Sequence, residues 1–290
     1  MDNEPALQLI ECPRDAMQGW ANLIPTADKV RYINALLKAG FHTIDFGSFV
    51  SHKAIPQMAD TREVLSRLDL QTTRSAFLAI VANQRGAEEA VSYAAIRYLG
   101  FPFSVSETFQ QRNTNSSIGE SLQTVADMQE LCLQNKKEMV VYLSMGFGNP
   151  YGDPWSEEVV FSWAGKLAGL GIQTISLADT VGLATSQQVG QMTAFLRQEL
   201  PEVTIGVHLH ASSLNWYDKV SAAFQAGCRR FDGAIRGIGG CPMAGDALVG
   251  NMDTLNLLNF FRQQNIDTAI EQPAIEEAVQ IADQIFRTRH

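Results

Sequence analysis

Apolar and polar positions along the chain alternate between two periods. Short β-rich runs at residues 7–12, 43–46, 75–81, 95–105, 139–144, 174–177, 204–209 and 230–235 read as strands, because β-branched and aromatic residues cluster there between turn formers. Stretches of helical period follow them near 27–39, 56–68, 86–93, 118–135, 157–170, 186–199, 215–226 and 252–263, with a last one near 274–287. Asp28 and Ser156 stand where N-caps are expected, and Gly40, Gly171 and Gly227 where a helix stops. Eight strand-then-helix units without a linker or low-complexity break predict an α/β fold, a single-domain (β/α)8 TIM barrel over residues 1–290. The barrel would span about 7–265, with an additional C-terminal helical extension over 266–290. A doubly wound open sheet would show a similar alternation.

The positions of the unusual polar residues favour the barrel. Pro13-Arg14-Asp15 follows the first strand, Asp45-Phe46-Gly47-Ser48 the second, and Ser144-Met145-Gly146 the fifth. Asp179-Thr180 follows the sixth, His208-Leu209-His210 the seventh, and a loop carrying Cys241 the eighth. All fall at carboxyl ends of strands, which a barrel gathers around one mouth and an open sheet spreads along an edge. His208 and His210 are two apart, so on a strand they share a face and reach one ion, with Asp15 and Asn251 supplying oxygen. Two imidazoles with a carboxylate and an amide oxygen suit Mg²⁺ or Mn²⁺ better than zinc. An ordinary buried, hydrogen-bonded histidine pair is the alternative. The segment 237–251 holds five glycines in fifteen positions around Cys241 and reads as an active-site lid presenting one thiol.

Composition narrows the partners. With 290 residues and 46% apolar positions the chain can bury a full core. A net charge of -9 without a Lys/Arg run disfavours nucleic acid and anionic membranes. The longest apolar run, 76–82, is far too short to cross a bilayer. Cys12, Cys132, Cys228 and Cys241 show no CxxC spacing, which fits a reducing, cytoplasmic setting, and the acidic first residues show no targeting signal. The Gly237-x-Gly239 pair does not continue into a dinucleotide fingerprint, because Pro242 occupies the last position.

Pro13-Arg14-Asp15-Ala16-Met17-Gln18 resembles the PRDGLQ signature of the 3-hydroxy-3-methylglutaryl-CoA lyase family, metal-dependent lyases built on a TIM barrel. The resemblance continues through Ser48-Phe49-Val50-Ser51, Pro56-Gln57-Met58, Ser106-Glu107 with Asn113, Glu120-Ser121 and residues 175–182. It ends in Gly237-Ile238-Gly239-Gly240-Cys241-Pro242, similar to the family's GxGGCP lid, and covers about 7–258. It implies that Asp15, His208, His210 and Asn251 hold the cation, that Arg14 lies against the thioester carbonyl, and that Cys241 is the catalytic cysteine. Asp15 would also be catalytic, His208 would act near the general base that removes the substrate's hydroxyl proton, and Gln18, Asp45, Ser48, Asp179 and Thr180 would border the substrate. The implied reaction is the retro-Claisen cleavage of 3-hydroxy-3-methylglutaryl-CoA to acetoacetate and acetyl-CoA, in a homodimer. Lys53, Arg112 and Arg236 are the candidate cations for the CoA phosphates.

The chain departs from the family pattern at Cys12, where the family has glycine, at Asp45, where it has glutamate, and at Ala211, where it has aspartate. The ten-residue step from Cys241 to Asn251 is one longer than usual. These changes bear on substrate choice. A Claisen-condensing enzyme of the isopropylmalate or homocitrate synthase kind shares the RD and HxH elements, and a catalytically silent barrel that binds an acyl-CoA or a protein is the third reading.

Overall fold

Eight parallel strands close into a barrel in sequence order, with the eighth returning to pair with the first. The structure is a computed structural model and describes residues 6–71, 73–240 and 249–287. The elements run β1 (Gln8–Glu11), α1 (Pro13–Gln18), α2 (Thr26–Ala39), β2 (Thr43–Ser48), α3 (Thr61–Ser66), β3 (Ala76–Ile80), α4 (Gln84–Val91), β4 (Ile96–Ser104), α5 (Glu107–Thr114) and α6 (Ile118–Gln134). They continue with β5 (Glu138–Ser144), α7 (Glu157–Gly169), β6 (Thr174–Ala178), α8 (Ser186–Glu199), β7 (Thr204–His208), α9 (Trp216–Gln225), β8 (Arg230–Gly233), α10 (Thr254–Gln263) and α11 (Gln272–Ile285). The strands are covered on both faces and therefore read as near-continuous apolar runs, as in Met139–Leu143 of β5.

Two apolar layers result. The larger lies between strands and helices and includes Ile44, Leu99, Val141, Leu177 and Phe231. The smaller, formed by Leu78, Ile80, Tyr98, Val140 and Tyr142, takes the alternate residues of β3, β4 and β5 and fills the barrel's interior. The C-terminal extension is a helix, α11, lying along α2 and sealed by Phe286, whose ring meets Trp20 edge-on at 5.2 Å and Tyr32 at 6.2 Å. Inside the wall, fully buried Glu11 accepts from the Ile235 amide at 2.9 Å and from the Thr254 hydroxyl, tying β1 to the segment after β8.

All eight strands lie where the apolar pattern predicts them, and several helix signals hold. Ser156 caps α7 by accepting from the Val159 amide, and Gly40 ends α2 at φ 81°. Asp28 is not an N-cap: α2 begins two residues earlier, at Thr26, and Asp28 sits in its first turn, where its charge faces the amide end of the helix dipole. Two helices were not anticipated. α1 is six residues long, begun by Pro13, and α5 is mostly polar, so neither carries an apolar period. The expected helix near 56–68 is a 3₁₀ turn at Pro56–Met58 followed by α3.

Candidate active site at the barrel mouth

Arg14, Asp15, Asp45, Ser48, Asp179, Thr180 and His208 converge at the carboxyl end of the barrel because each lies within its strand or just past its end. α1 turns directly off β1, and this short turn buries Arg14 and Asp15 against β2. The Arg14 guanidinium grips Asp45 from Nε at 3.0 and 3.2 Å and from Nη2 at 2.5 Å, while Nη1 donates to Asp15 Oδ1 at 3.1 Å. Gln18 donates to the same Asp15 oxygen. Burial pushes Asp45 up to about 6, partly offset by the Arg14 charge. For Asp15 burial also acts upward, but Arg14, His208, His210 and the Asn251 hydrogen bond together hold it below the usual carboxylate range.

β7 ends at His208, so the histidine pair is not carried on one strand as its spacing suggests. Beyond His208 the chain leaves β6 and pairs antiparallel with the segment around Asn251. His210 and Asn251 face each other, the Met252 amide donates to Leu209 at 3.0 Å, and the Ala211 amide donates to Gly250 at 3.1 Å. This short ladder is the physical reason Asn251, forty-one positions after His210, arrives at the mouth. Asn251 Nδ2 donates to Asp15 Oδ2 at 2.6 Å and to the Ile238 carbonyl at 2.9 Å, which leaves Oδ1 buried without a hydrogen-bond partner among the described residues. Gly239 lies against the same pair: a Cβ there would stand 2.7 Å from both Asn251 Nδ2 and the Asp15 carbonyl, and φ is +104°. Glycine is required at that position by contact and by backbone alike.

Both imidazoles are held by one nitrogen. His208 Nδ1 meets Asp232 Oδ2 at 3.1 Å, and His210 Nδ1 meets the Val249 carbonyl at 2.7 Å. Hydrogen bonds of this type fix the tautomer and aim Nε2 outward. Burial acts to lower His208, yet the Asp232 hydrogen bond and charge, with Asp15, carry it above the ordinary value. His210 falls below it through burial and the neighbouring His208. Cys12, His208 and Asp232 also place potential ligand atoms within 4.8 Å of one another. That trio suits a cation poorly, because burial and the charges of Asp232, Asp45, Asp15 and Glu11 push the Cys12 thiol far up and keep it protonated.

The mouth opens into a cavity of about 350 Å³ lined by Arg14, Asp15, Gln18, Ser48, Thr180, His208 and His210 among others. Asp45 and Asp179 do not reach this wall. Asp45 lies behind Arg14, and Asp179 is turned away, accepting from Lys219 Nζ at 2.7 Å through Oδ2 and from the Ala184 amide at 3.0 Å through Oδ1. Thr180 accepts from the Met145 amide at 2.9 Å. Of the expected phosphate-binding cations, Arg112 lines the mouth with its guanidinium 4.6 Å from the centre of the Tyr151 ring. Lys53 lines an adjoining cavity of about 340 Å³ with His52, Arg62 and Arg85. Arg236 is elsewhere, paired with Asp283 at 2.8 and 3.0 Å. Cys241 lies outside the described residues.

Three residues were missed in sequence: Asp232, which holds His208; Lys219, which holds Asp179 and the His210 carbonyl at 2.9 Å; and Tyr142, whose ring stands edge-on to His208 at 5.6 Å. Asp232 and Tyr142 were legible only through the strand alternation, as inward positions of β8 and β5. Lys219 sits inside an amphipathic helix and carried no signal.

The sequence matches the family model described as HMGL-like over residues 7–281. It is 33% identical over 275 residues to the (R)-citramalyl-CoA lyase of Chloroflexus aurantiacus, covering 91% of this chain and 85% of that protein. It is also 33% identical over 266 residues to the mitochondrial hydroxymethylglutaryl-CoA lyase of Mus musculus, covering 92% and 81%. Among solved structures, an HMG-CoA lyase from Acenitobacter baumannii in complex with coenzyme A and 3-methylmalate superposes with a TM-score of 0.90 at 32% identity, covering 98% of this chain and 92% of that one.

Proposed function

The chain belongs to the HMGL-like family and is a carbon–carbon lyase of the hydroxymethylglutaryl-CoA lyase type; we propose that it cleaves 3-hydroxy-3-methylglutaryl-CoA, or a close 3-hydroxyacyl-CoA, with a divalent cation held at the mouth. The observation that carries this reading is the state of the four expected donors. Among the described residues, His208 and His210 are each anchored through Nδ1 with Nε2 left over, Asn251 Oδ1 is buried and unpartnered, and the Asp15 carboxylate stands among them. Arg14 pairs with Asp15 and Asp45, and Asp232 meets His208. Neutral imidazole, carboxylate and amide oxygen make a set suited to Mg²⁺ or Mn²⁺. When bound, the cation lowers the pKa of the substrate's tertiary hydroxyl and fixes its free carboxylate.

The protein's own residues then divide the work. Arg14, kept charged and immobile by Asp45, binds the thioester carbonyl oxygen and stabilises the negative charge that grows there. His208, its Nδ1 engaged by Asp232, would help to hold the cation, and Asp15 beside it would receive the substrate's hydroxyl proton. The C2–C3 bond breaks, its electron pair passing to C2 as the thioester enolate, while C3 becomes the carbonyl of the released keto acid. C2 is protonated by the Cys241 thiol from the lid, which yields acetyl-CoA. Ser48, Gln18 and Thr180 line the mouth and would border the acyl group, and Arg112 at the mouth and Lys53 in the adjoining cavity would offset the charge of the CoA phosphates. The same proposal has the protein working as a homodimer, on the family resemblance, and in the cytoplasm, on its scattered cysteines. The test is release of acetyl-CoA from 3-hydroxy-3-methylglutaryl-CoA with Mg²⁺ or Mn²⁺ and its loss with chelator; thiol release from acetyl-CoA plus a 2-oxo acid would instead support the condensing alternative.

A further inference from the structure

A second arginine lies inside the barrel, at the end away from the mouth. Arg230 opens β8 and Asp232 follows two residues later, so their side chains share the inward face of that strand. Gly206 of β7 makes room for the arginine stem: a Cβ there would stand 2.9 Å from Arg230 Cδ and 3.0 Å from Cγ. Gly206 is two residues before His208, on the same face of β7, and the stem therefore crosses that strand within the barrel. Arg230 is 2% exposed and Asp232 3%. Among the described residues the guanidinium Nε and Nη2 have no hydrogen-bond partner, and neither has Asp232 Oδ1, while Asp232 Oδ2 meets His208 Nδ1 at 3.1 Å. The hydroxyls of Ser176 and Tyr142, which pair in register on β6 and β5, are likewise buried without a partner among the described residues. Burial pushes the Tyr142 hydroxyl up, Asp232 adds to that and Arg230 opposes it, so this hydroxyl lies in the field of both charges.

A buried carboxylate needs a counter-charge, and Arg14 is already committed to Asp15 and Asp45. Arg230 is the remaining guanidinium on the strand that carries Asp232, with their Cα atoms roughly 7 Å apart for two residues of strand rise. Inside the barrel, where water screens little, a charge at this range acts on its neighbour far more strongly than at the surface. We propose that Arg230 is a positioning residue: its buried positive charge steadies the Asp232 carboxylate, and through Asp232 it fixes the His208 ring with Nδ1 as the donor and Nε2 turned to the mouth. This rests on the reading of a cation at the mouth and deepens it, since the hold on that cation then depends on a charge at the opposite end of the barrel. Partners that orient a ligating histidine are worth about 10- to 100-fold in metal affinity, which sets the scale of the effect.

The experiment measures Mn²⁺ affinity by calorimetry, and the side-chain ¹⁵N NMR signals of His208 in the metal-free protein, for the wild type, Arg230→Lys, Arg230→Met, Asp232→Asn and the double variant Arg230→Met with Asp232→Asn. Arg230→Met should weaken Mn²⁺ binding by about 10-fold or more, whereas Arg230→Lys keeps the charge and should stay within about 3-fold of the wild type. His208 should be a single Nδ1-protonated tautomer in the wild type and in Arg230→Lys, and a mixture of tautomers in Arg230→Met. The double variant should bind Mn²⁺ no more weakly than Asp232→Asn alone, because the two residues act in series. Wild-type affinity and an unchanged His208 spectrum in Arg230→Met overturn the proposal. So do additive losses in the double variant, or a loss in Arg230→Lys equal to that in Arg230→Met, which would assign Arg230 to packing. Arg230→Gln takes the place of Arg230→Met in every comparison if the methionine variant does not fold. If the wild type binds no Mn²⁺ the metal reading fails, while the His208 tautomers of the metal-free proteins still decide the role of Arg230.

Discussion

Replacing Lys219 by methionine tests how the mouth is held in place. Lys219 is 1% exposed on α9, and its ammonium meets Asp179 Oδ2 at 2.7 Å, the His210 carbonyl at 2.9 Å and the Gly182 carbonyl at 3.4 Å. It thus joins the end of β6, the loop after it and the residue that supplies the second imidazole. Methionine keeps most of the volume but leaves the Asp179 carboxylate, also 1% exposed, with the Ala184 amide as its remaining donor. Removing one partner of a buried pair costs about 3–5 kcal/mol. For 290 residues, an unfolding entropy of roughly 2.1 cal/mol/K per residue gives about 0.6 kcal/mol/K, so the melting temperature should fall by about 5–8 °C. The assay is urea unfolding followed by circular dichroism, with thermal melts beside it. Adding Asp179→Leu to Lys219→Met should recover much of the loss, because the orphaned charge is then gone. Metal affinity should not recover in the double variant, since the His210 carbonyl remains untied. A loss below about 1 kcal/mol in the single variant, where exposed ion pairs fall, would refute the reasoning.

Cys241→Ser should leave folding and metal binding intact and cut turnover by at least about 100-fold, as expected for a weakened proton donor; an undiminished rate removes Cys241 from the chemistry. Asp15→Ala and His208→Ala should each weaken Mn²⁺ binding in calorimetric titration, and unchanged affinity would show the donor set to be wrong. Burial raises Glu11 from 4.5 to about 8, against opposing hydrogen bonds from Thr254 and Ile235. The folded state therefore keeps a proton that the unfolded state releases, so stability from this group is full below about pH 4.5 and is lost as pH rises toward 8. Glu11→Gln should accordingly melt with a flatter dependence between pH 5 and 8.5, and equal slopes in the two proteins would contradict this.

The barrel was legible because parallel strands covered on both faces announce themselves as apolar runs, and because polar residues gathered at the same end of six of the eight runs. Arg14, Asp15 and His208 follow from that pattern alone. The placing of His210 and Asn251 does not, since it depends on an antiparallel bridge between two loops, and loop pairing leaves no periodic trace. Asp45 lies inside β2 and Asp179 just past β6, and the structure uses them to hold Arg14 and Lys219 and keeps them off the cavity wall. Tyr142 was hidden for a different reason: within Met139–Leu143 it reads as one more core residue, and only the inward register of β5 brings it to the floor of the mouth.

The most direct measurement of the central claim is acetyl-CoA formation from 3-hydroxy-3-methylglutaryl-CoA and 3-carboxy-3-hydroxybutyryl-CoA by the purified protein, with Mn²⁺ and with excess chelator. Cleavage of at least one ester that disappears with chelator and returns with Mn²⁺ is the expected result. Metal binding at the mouth without cleavage of either ester, or cleavage unaffected by chelator, would contradict it.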